Sequence, residues 1–492
     1  MTRSEDTPDT APAGDDGADV YDVIVLGAGP VGENVADRVH AAGLSAVIVE
    51  SELVGGECSY WACMPSKALL RPVAAFADAR RVAGSAQAVT GRLDAAAVLE
   101  RRDGFTSHWH DDGQVSWLES AGVGLVRGHG RLDGPRRVAV TTADGGTRTL
   151  TAQHAVAVCT GSRAALPPLP GIEEARPWTS REATSAKEVP GRLAVVGGGV
   201  VAVEMATAWR ALGAEVTVLV RGGGLLEKME PFAGELVARS LTEAGVTLRT
   251  GVSVEGLQRP SADRPVTLSL DDGSLLEADE VLFAVGRTPR TDDIGLETAG
   301  CEPGGWLAVD ESCRVEGVQG GWLYAMGDAN GRALLTHQGK YQARVGGAAI
   351  AARAAGVPLL ETDRWGAHAA TADHDAVSQV VFTDPEATAV GLTAAEAEGR
   401  GLRVRAVDVE LGGVAGAALY ADDYRGRARM VVDLDREVVV GVTFVGPGVS
   451  ELLHSAGVAV VGEVPLERLW HAVPAYPTIS EVWLRLLETY RG

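Results

Sequence analysis

A strand, a glycine-rich turn and a helix follow one another twice along the chain, and this repeated pattern limits the fold more than any other feature. The first copy starts with an apolar run over 21–26, and its second apolar run ends at Glu50. Its turn fits G-x-G-x-x-G with Gly27, Gly29 and Gly32. Such a turn brings backbone amides to a pyrophosphate, and an acid at the place of Glu50 can bind a ribose hydroxyl. The first copy therefore predicts a dinucleotide site.

The second copy begins with the apolar run 192–196 and continues through a turn with Gly197, Gly199 and Ala202. Its next strand is followed by Arg221, and no acid ends that strand. An arginine at this place suits a 2′-phosphate and favours NADPH, whereas an ordinary surface arginine would leave NADH equally suitable. The second copy predicts a nicotinamide nucleotide site, with NADPH favoured over NADH.

Cys58 and Cys63 lie between the two glycine turns, in the segment 55–67. Residues five apart in a regular helix point about 140° away from each other, and their Cα atoms then usually lie beyond the roughly 7 Å that a disulfide can span. A disulfide between them therefore requires a distorted turn. The alternative is a pair of small, buried, unpaired thiols, which is the common state of cysteine in the cytosol.

Two dinucleotide turns with a cysteine pair between them form an electron-transfer chain from nicotinamide to flavin to disulfide. In this arrangement the sequence resembles the class I flavoprotein pyridine nucleotide–disulfide oxidoreductases, which include dihydrolipoamide dehydrogenase and the glutathione, mycothione and mercuric reductases. The resemblance extends from Tyr21 to about Glu488, and further similar motifs lie at 128–130, 159–162, 284–289 and 324–328. It implies an α/β fold with two Rossmann-like domains, one for FAD and one for NAD(P), and a C-terminal α+β dimerisation domain.

The resemblance also implies roles for individual residues. Cys58 corresponds to the outer thiol that attacks a substrate disulfide, and Cys63 to the inner thiol next to the flavin. Lys67 corresponds to a lysine that lies near the flavin ring and pairs with Glu204. The implied FAD-binding residues are Gly27, Gly29, Gly32, Glu50, His129, Thr160, Gly161 and Asp328. The implied NAD(P)-binding residues are Gly197, Gly199, Ala202, Arg221, Gly286 and Arg287.

The C-terminal motif departs from the family pattern at one position. Disulfide-reducing members have His-Pro-Thr-x-Ser-Glu, which serves the active site of the partner subunit, whereas this chain has Tyr476 in place of the histidine and keeps Glu481. A phenol with a reference pKa of about 10 is a poor base at neutral pH, although it can donate a proton. His471 does not align with the family histidine. The tyrosine therefore leaves the substrate open.

Three functions fit the sequence. The first is an NAD(P)H-dependent reductase of a low-molecular-weight disulfide, or the reverse dithiol oxidase. The second is a quinone or dye reductase that acts directly from the flavin, with the cysteines dispensable; Tyr476 favours it, whereas the intact cysteines and Glu481 favour the first. The third is a non-catalytic nucleotide-binding subunit. Tyr60 and Trp61, between the cysteines, either pack in the core or offer a flat acceptor a stacking surface.

The order of the motifs divides the chain into five segments. They are a leader predicted to be disordered from its acidic composition (1–20), a first FAD-binding part with the cysteines (21–185), an NAD(P)-binding domain (186–288), a second, central FAD-binding part (289–365) and a dimerisation domain (366–492). In the family the Tyr476 segment works only across the interface between subunits, so the resemblance implies a homodimer.

Composition disfavours several other classes of protein. The formal net charge of −22 disfavours nucleic acid and anionic membranes as partners, and no run of about 18 apolar residues predicts a membrane span. Five cysteines without a signal-peptide pattern indicate a cytoplasmic protein in which a disulfide would be catalytic. Cys159, Cys301 and Cys313 lack the spacing of a zinc site, so no metal is expected.

Overall fold

A computed structural model describes residues 19–359 and 362–492. The helices are α1 (Pro30–Ala41), α2 (Gly56–Tyr60), α3 (Cys63–Arg80), α4 (Ser85–Ala88), α5 (Ala95–Phe105), α6 (Asp112–Ser120), α7 (Ile172–Ala175), α8 (Ser180–Ser185), α9 (Val200–Ala211), α10 (Pro231–Glu243), α11 (Thr336–Ala354), α12 (Ala372–Asp375), α13 (Ala394–Gly399), α14 (Ala415–Tyr420), α15 (Leu453–Val461), α16 (Leu466–Leu469) and α17 (Val482–Arg491). The strands are β1 (Asp19–Leu26), β2 (Ala46–Glu50), β3 (Gly124–Arg127), β4 (His129–Leu132), β5 (Arg137–Thr141), β6 (Thr147–Val158), β7 (Ser162–Ala164), β8 (Arg192–Val196), β9 (Glu215–Val220), β10 (Thr247–Thr250), β11 (Val254–Gln258), β12 (Val266–Leu270), β13 (Leu275–Ala278), β14 (Glu280–Phe283), β15 (Arg287–Pro289), β16 (Leu323–Ala325), β17 (Ser378–Val381), β18 (Glu386–Gly391), β19 (Val404–Glu410), β20 (Arg427–Asp433) and β21 (Val438–Gly446).

The first sheet carries the first glycine turn. Its strands lie in the order β3-β2-β1-β6-β5-β4, and β16 also pairs with β6. β1 pairs in parallel with both β2 and β6, so the carboxyl ends of three strands meet at one edge. The last four residues of β1 are buried, as expected for a parallel strand covered on both faces. In open parallel sheets ligands bind outside this edge.

The first strand begins earlier than the sequence predicted. Asp19 and Val20, assigned to the leader, pair with Leu150 and Thr151 of β6 and so belong to the sheet. That boundary of the leader was therefore wrong by two residues. The rest of the predicted leader, 1–18, lies outside the described residues.

The second glycine turn belongs to a smaller parallel sheet in the order β10-β9-β8-β14, with α9 and α10 packed in its core. An antiparallel sheet, β11-β12-β13, completes this unit. The chain enters it after β7 and leaves it through β15, and these two strands pair antiparallel, Arg287 with Ala164 and Pro289 with Ser162. Entry and exit of the unit therefore lie side by side.

The C-terminal part is an antiparallel sheet in the order β17-β18-β21-β20-β19, in which every residue of β21 is buried. Helices α15 and α17 pack on it around Phe444 and Trp483, whose rings meet edge to face at 6.1 Å. The predicted fold class, two dinucleotide-binding α/β units and a C-terminal antiparallel domain, is confirmed. Among the helices in 19–359 and 362–492, none combines the length and the apolar character that crossing a bilayer needs.

Candidate active site

The first glycine turn leaves no room for a side chain at two of its three glycines. Gly27 has φ +99°, and a Cβ there would lie 2.5 Å from the carbonyl oxygen of Cys159. A Cβ on Gly32 would lie 1.9 Å from the carbonyl oxygen of Gly27. At Gly29, in contrast, no atom lies within 4 Å of the Cβ position, so the backbone faces open space at the start of α1. This is the arrangement that a pyrophosphate at a helix N-terminus requires.

A cleft of about 440 Å³ opens outside this turn, at the carboxyl edge of the first sheet. Its walls include most of the residues that the sequence assigned to FAD, namely Gly27, Gly29, Glu50, His129, Thr160, Gly161 and Asp328. The hydroxyl of Thr160 is buried there without a hydrogen-bond partner among residues 19–359 and 362–492. A buried polar group without a partner is costly, so a polar ligand in this cleft would satisfy it. The cleft therefore fits the polar parts of a flavin dinucleotide.

Arg287, which the sequence assigned to NAD(P), also lines this first cleft. Its Nε donates to the hydroxyl of Ser162 at 2.6 Å and lies 3.7 Å from Oδ2 of Asp328. Ser162 in turn donates to the carboxylate of Asp328. Arg287 therefore lies at the first cleft, although the sequence assigned it to NAD(P), because β15 returns the chain from the second unit to the wall of the first.

The cysteines lie on two helices separated by a break. Cys58 is in α2 and lines the cleft, and Cys63 is the first residue of α3. Both are half-buried free thiols, so the structure describes the dithiol form. The two thiols are close enough that each shifts the pKa of the other, and the sulfur of Cys63 lies 3.3 Å from the hydroxyl of Thr336 at the start of α11. The distorted turn that a Cys58–Cys63 disulfide requires is therefore present.

The pKa values of the two thiols are shifted in opposite directions. The hydrogen bond from Cys58 lowers the pKa of Cys63 to about 6, and Thr336 and the positive charge of Lys67 act in the same direction against the cost of burial. The same hydrogen bond, together with burial, raises the pKa of Cys58. Both shifts favour a thiolate at the inner sulfur and a protonated thiol at the outer sulfur.

Lys67 joins the cysteine helix to the second unit. Its ammonium donates to Oε2 of Glu204 in α9 at 2.7 Å, and it lies 5.0 Å from the centre of the Phe382 ring. Glu204 is buried, and its other oxygen accepts the backbone N–H of Phe382 at 3.0 Å. The Lys67–Glu204 pair expected from the sequence is therefore formed.

The aromatic residues between the cysteines are both engaged by the protein. Tyr60 is 1 % exposed, and its hydroxyl donates to the carbonyl of Val54 at 3.0 Å. The guanidinium of Arg181 lies over the ring of Trp61, 4.2 Å from its centre. Tyr60 is thus a core residue, and the Trp61 face under Arg181 is covered.

The second glycine turn repeats the geometry of the first. Gly197 has φ +134°, and a Cβ there would lie 2.3 Å from the carbonyl oxygen of Ala284, whereas Gly199 faces open space at the start of α9. Ala202 is buried in α9, and Arg221 is exposed directly after β9. Gly286, with φ +147°, lies next to Arg287 on the returning connection. A nucleotide would therefore meet Gly199 and Arg221, and Gly286 lies two residues after Ala284, whose carbonyl oxygen faces Gly197 of the turn.

The C-terminal motif faces outward within one chain. The side chain of Tyr476 is 77 % exposed, whereas Glu481 is buried and accepts from Arg485 at 2.6 Å. The motif is packed against α14, where a Cβ on Gly416 would lie 2.0 Å from the carbonyl carbon of Thr478. One chain therefore does not bring Tyr476 to its own cleft.

Sequence reasoning missed Thr336 and Arg181. Thr336 contacts Cys63 from 273 positions away, and no local pattern marks it. Arg181 lines the cleft and contacts Glu52 and Glu57, but it looks like any other arginine in an arginine-rich chain. Both contacts depend on the folding of distant segments.

Comparison with known families matches nearly the whole chain. A family model described as pyridine nucleotide-disulphide oxidoreductase matches residues 21–355, and the model of that family's dimerisation domain matches residues 377–486. The chain is 31% identical over 479 residues to dihydrolipoyl dehydrogenase 2 of Haloarcula marismortui, covering 96% of this chain and 97% of that protein. It is 29% identical to a mercuric reductase of Staphylococcus aureus, covering 94% of this chain and 81% of that protein.

Solved structures share the fold. A Cu(II) complex of the HOCl-induced flavoprotein disulfide reductase RclA from Escherichia coli matches with a TM-score of 0.80 at 21% identity, covering 96% of this chain and 99% of that one. LpdA from Mycobacterium tuberculosis matches with a TM-score of 0.80 at 24% identity, with the same coverage.

Proposed function

Because the chain belongs to the pyridine nucleotide-disulphide oxidoreductase family, we propose that it passes electrons from NADPH through FAD and the Cys58–Cys63 disulfide to a low-molecular-weight disulfide, or runs the reverse dithiol oxidation. As a member of this family it is an FAD-dependent disulfide oxidoreductase similar to dihydrolipoyl dehydrogenase. The substrate, the preference for NADPH and the roles of individual residues are the proposal.

The meeting of the two thiols beside the helix break is the observation that carries it. Thiol–disulfide exchange needs one thiolate to attack the substrate disulfide and a second to attack the mixed disulfide, and the lowered pKa of Cys63 favours the second attack. Buried cysteines without a redox role would have no need of a helix break, of the Thr336 contact or of the Lys67 charge. These features support a working dithiol over a pair of inert thiols.

The chemistry divides between the two sulfurs. Cys58, once deprotonated, attacks one sulfur of the substrate disulfide and forms a mixed disulfide, releasing the first thiol. The thiolate of Cys63 then attacks Cys58, releases the second thiol and closes the Cys58–Cys63 disulfide. Bound FAD would supply the electron pair, derived from the nicotinamide, that reopens this disulfide. The proton taken from Cys58 has to be received by a base, and this is where Tyr476 departs from the family pattern.

The residues of the two clefts fit their proposed cofactors. Glu50, Thr160 and Asp328 supply the polar wall of the FAD cleft, and Arg287 joins them. Exposed Arg221 supports NADPH, because a guanidinium can bind a 2′-phosphate with two parallel hydrogen bonds.

The match to the dimerisation domain implies a homodimer. In such a dimer we place Tyr476 and Glu481 of each chain at the partner's cysteines, which accounts for the outward position of Tyr476. We further propose the five-segment division given by the sequence, with β1 starting at Asp19, and a cytoplasmic location, where thiols are kept reduced.

The second candidate function is a quinone or dye reductase that acts directly from the flavin. The replacement of the histidine by Tyr476 favours it, because a quinone needs no thiol proton exchange. The position of Arg181 over Trp61 disfavours one version of it, since that ring face is not free to stack on a flat acceptor.

An anaerobic titration of the purified yellow protein with NADPH and then dithionite, followed by absorbance, tests the proposal. Uptake of two electron pairs per flavin is expected, with the long-wavelength absorbance of a thiolate next to oxidised flavin after the first pair. Uptake of a single pair with immediate bleaching of the flavin would show that the cysteines take no part. Quinones would then be the substrates to try.

A further inference from the structure

The break between α2 and α3 decides whether Cys58 and Cys63 can meet. α2 ends at Tyr60 and α3 begins at Cys63. Trp61 has φ −137° and ψ 2°, and Ala62 has φ −135° and ψ −96°, far from the helical values near −63° and −42°. If these two residues became helical, the sulfurs would point to different sides of one continuous helix. Something must therefore hold the break.

Arg181 of α8 contacts the redox segment before the break and at the break. Its guanidinium lies over the ring of Trp61, 4.2 Å from the centre. Its Nε donates to Oε1 of Glu57, the residue before Cys58, at 2.5 Å. One arginine thus holds the position before the outer cysteine and the position at the break.

Two further contacts fix Arg181 itself. Its two terminal nitrogens donate to the two oxygens of Glu52, at 3.0 and 2.6 Å, so the guanidinium is held by a bidentate pair. Arg290, on the connection that returns from the second unit, donates to the same oxygen of Glu57 at 3.1 Å. These four charged residues form one cluster beside the cysteines, and three-quarters of the Arg181 side chain is shielded from solvent.

The hydroxyl of Thr184, one turn after Arg181 in α8, reaches the same place. It lies 2.9 Å from the carbonyl oxygen of Trp61 and 2.8 Å from that of Ser180, so its single proton is shared between them. The backbone and the ring of Trp61 are therefore both in contact with α8.

We propose that Arg181 is a positioning residue for the redox pair: it holds the helix break open at Trp61 and so keeps the sulfurs of Cys58 and Cys63 within bonding reach. The inference rests on the proposed function, in which these two sulfurs cycle between dithiol and disulfide. When the two cysteines are held close together, each thiol meets the other at a high effective concentration, and this favours the disulfide. Loosening Trp61 lowers that effective concentration and shifts the equilibrium towards the dithiol.

The test measures this equilibrium directly, without turnover. The full-length, flavin-loaded protein is equilibrated anaerobically with mixtures of reduced and oxidised dithiothreitol. Reduced dithiothreitol gives two electrons and two protons to the enzyme disulfide, which becomes the dithiol, and is itself converted to the cyclic disulfide. Acid quenching, alkylation and mass spectrometry then give the fraction of dithiol. Flavin content and melting temperature are recorded for each variant.

Arg181→Gln and Arg181→Lys are compared with the unchanged protein. We expect Arg181→Gln to shift the equilibrium constant about tenfold or more towards the dithiol. Arg181→Lys keeps the charge but loses the planar, forked guanidinium that contacts Glu57, Glu52 and Trp61 together. It should therefore recover less than half of the shift. The matched control is Arg249→Gln, an arginine of the second unit paired with Asp272 at 2.6 Å, and it should shift nothing.

The outcomes separate this inference from the proposed function. A constant within twofold of the unchanged protein in both Arg181 variants would overturn the positioning role while leaving the redox pair in place. Absence of any dithiol–disulfide equilibrium in the unchanged protein would overturn both. If Arg181→Gln fails to fold, Arg181→Lys and Thr184→Val decide the question. Thr184→Val removes the hydroxyl that contacts Trp61 at the break. Its control is Thr207→Val, which makes the same substitution away from the break.

Discussion

The ammonium of Lys67 donates to Glu204 across 2.7 Å and so links α3, which begins at Cys63, to α9 of the second unit. A buried carboxylate needs a partner of opposite charge, and Lys67 is that partner for Glu204. The positive charge of Lys67 also lowers the pKa of the inner thiol, Cys63. The redox segment and the second unit are therefore linked by charge as well as by chain connection.

Lys67→Met should raise the pKa of Cys63 from about 6, because one of the positive charges that stabilise the thiolate is lost. The Cys63 thiolate is lost when the pH falls below the pKa of this group. In the variant we expect this loss at a pH about one unit higher than in the unchanged protein. The rate of alkylation of Cys63 in the reduced protein, measured against pH, reports the midpoint. Lys187→Met is the control, since Lys187 pairs with Asp103 at an exposed site. An unmoved midpoint would contradict the role of Lys67.

Cys58→Ser should abolish reduction of a small disulfide and leave dye reduction within about twofold, because dyes accept electrons from the flavin without a thiol. Steady-state assays of both reactions on flavin-loaded protein measure this. Cys301→Ser, at a half-buried cysteine outside the redox segment, should change neither. Loss of both activities in the folded Cys58 variant would show that the sulfur is needed before electrons leave the flavin.

Tyr476→His should raise turnover with a small disulfide about tenfold or more, since positioned acid–base groups contribute roughly 100- to 10,000-fold. The gain should follow the protonation of an imidazole near pH 6 to 7. Tyr420→His, which adds an imidazole elsewhere on the C-terminal domain, controls for the new side chain. Equal turnover in Tyr476→His and the unchanged protein would show that proton transfer at this position does not limit the reaction.

Arg221→Ala should lower kcat/KM for NADPH about tenfold and leave the value for NADH unchanged, because only NADPH carries the 2′-phosphate. Initial rates at varied nucleotide concentration give both values. The same substitution at Arg249, in the same unit, should affect neither. If kcat/KM falls equally for NADPH and NADH, Arg221 supports the structure of the second unit and does not select the nucleotide.

Glu33 gives a prediction of stability against pH. Burial raises its pKa from 4.5 to about 7, opposed by Lys340 and supported by the negative charge of Glu50. Oε1 of Glu33 is buried and has no hydrogen-bond partner in the part of the chain that the structure describes. Between pH 4.5 and 7 the folded chain holds a proton that the unfolded chain has released, so this group stabilises the fold at low pH and loses that effect as the pH rises.

Glu33→Gln removes the titration and should therefore gain stability relative to the unchanged protein as the pH rises from 5 to 8, by about 2 to 3 kcal/mol at most. Melting temperatures of the flavin-loaded proteins across this range measure the difference. Glu119→Gln, at an exposed position of α6, should show a constant difference. A pH-independent difference for Glu33→Gln would contradict the raised pKa.

The elements that the sequence predicted best are those whose cause is local. The turns at Gly27 and Gly197 follow from glycine spacing between an apolar strand and a helix, and β8 has the predicted bounds. Asp19 was misplaced because it pairs with Leu150 of β6, 131 positions further along the chain. The position of Arg287 could not be read locally either, since the antiparallel pairing of β15 with β7 decides which cleft it faces.

The same limit applies within the site. Cys58, Cys63 and Lys67 come from one continuous segment, and the structure brings them together as the sequence predicted. The features that tune them, the Thr336 hydroxyl and the Arg181 guanidinium, come from other parts of the fold. Spacing in a sequence identifies reactive residues, whereas their environment requires tertiary contacts.

The pairing of β7 with β15 has a consequence for how such a chain can change over evolutionary time. The chain enters and leaves the second unit through two adjacent strands, β7 and β15. A unit of different size can therefore replace it without changing the distance between these two strands. A nucleotide preference could be acquired by transplanting this module whole, while the cysteines and the flavin cleft keep their places. Arg181 and Arg290 both donate to Glu57, so a replacement unit would have to provide these two contacts again.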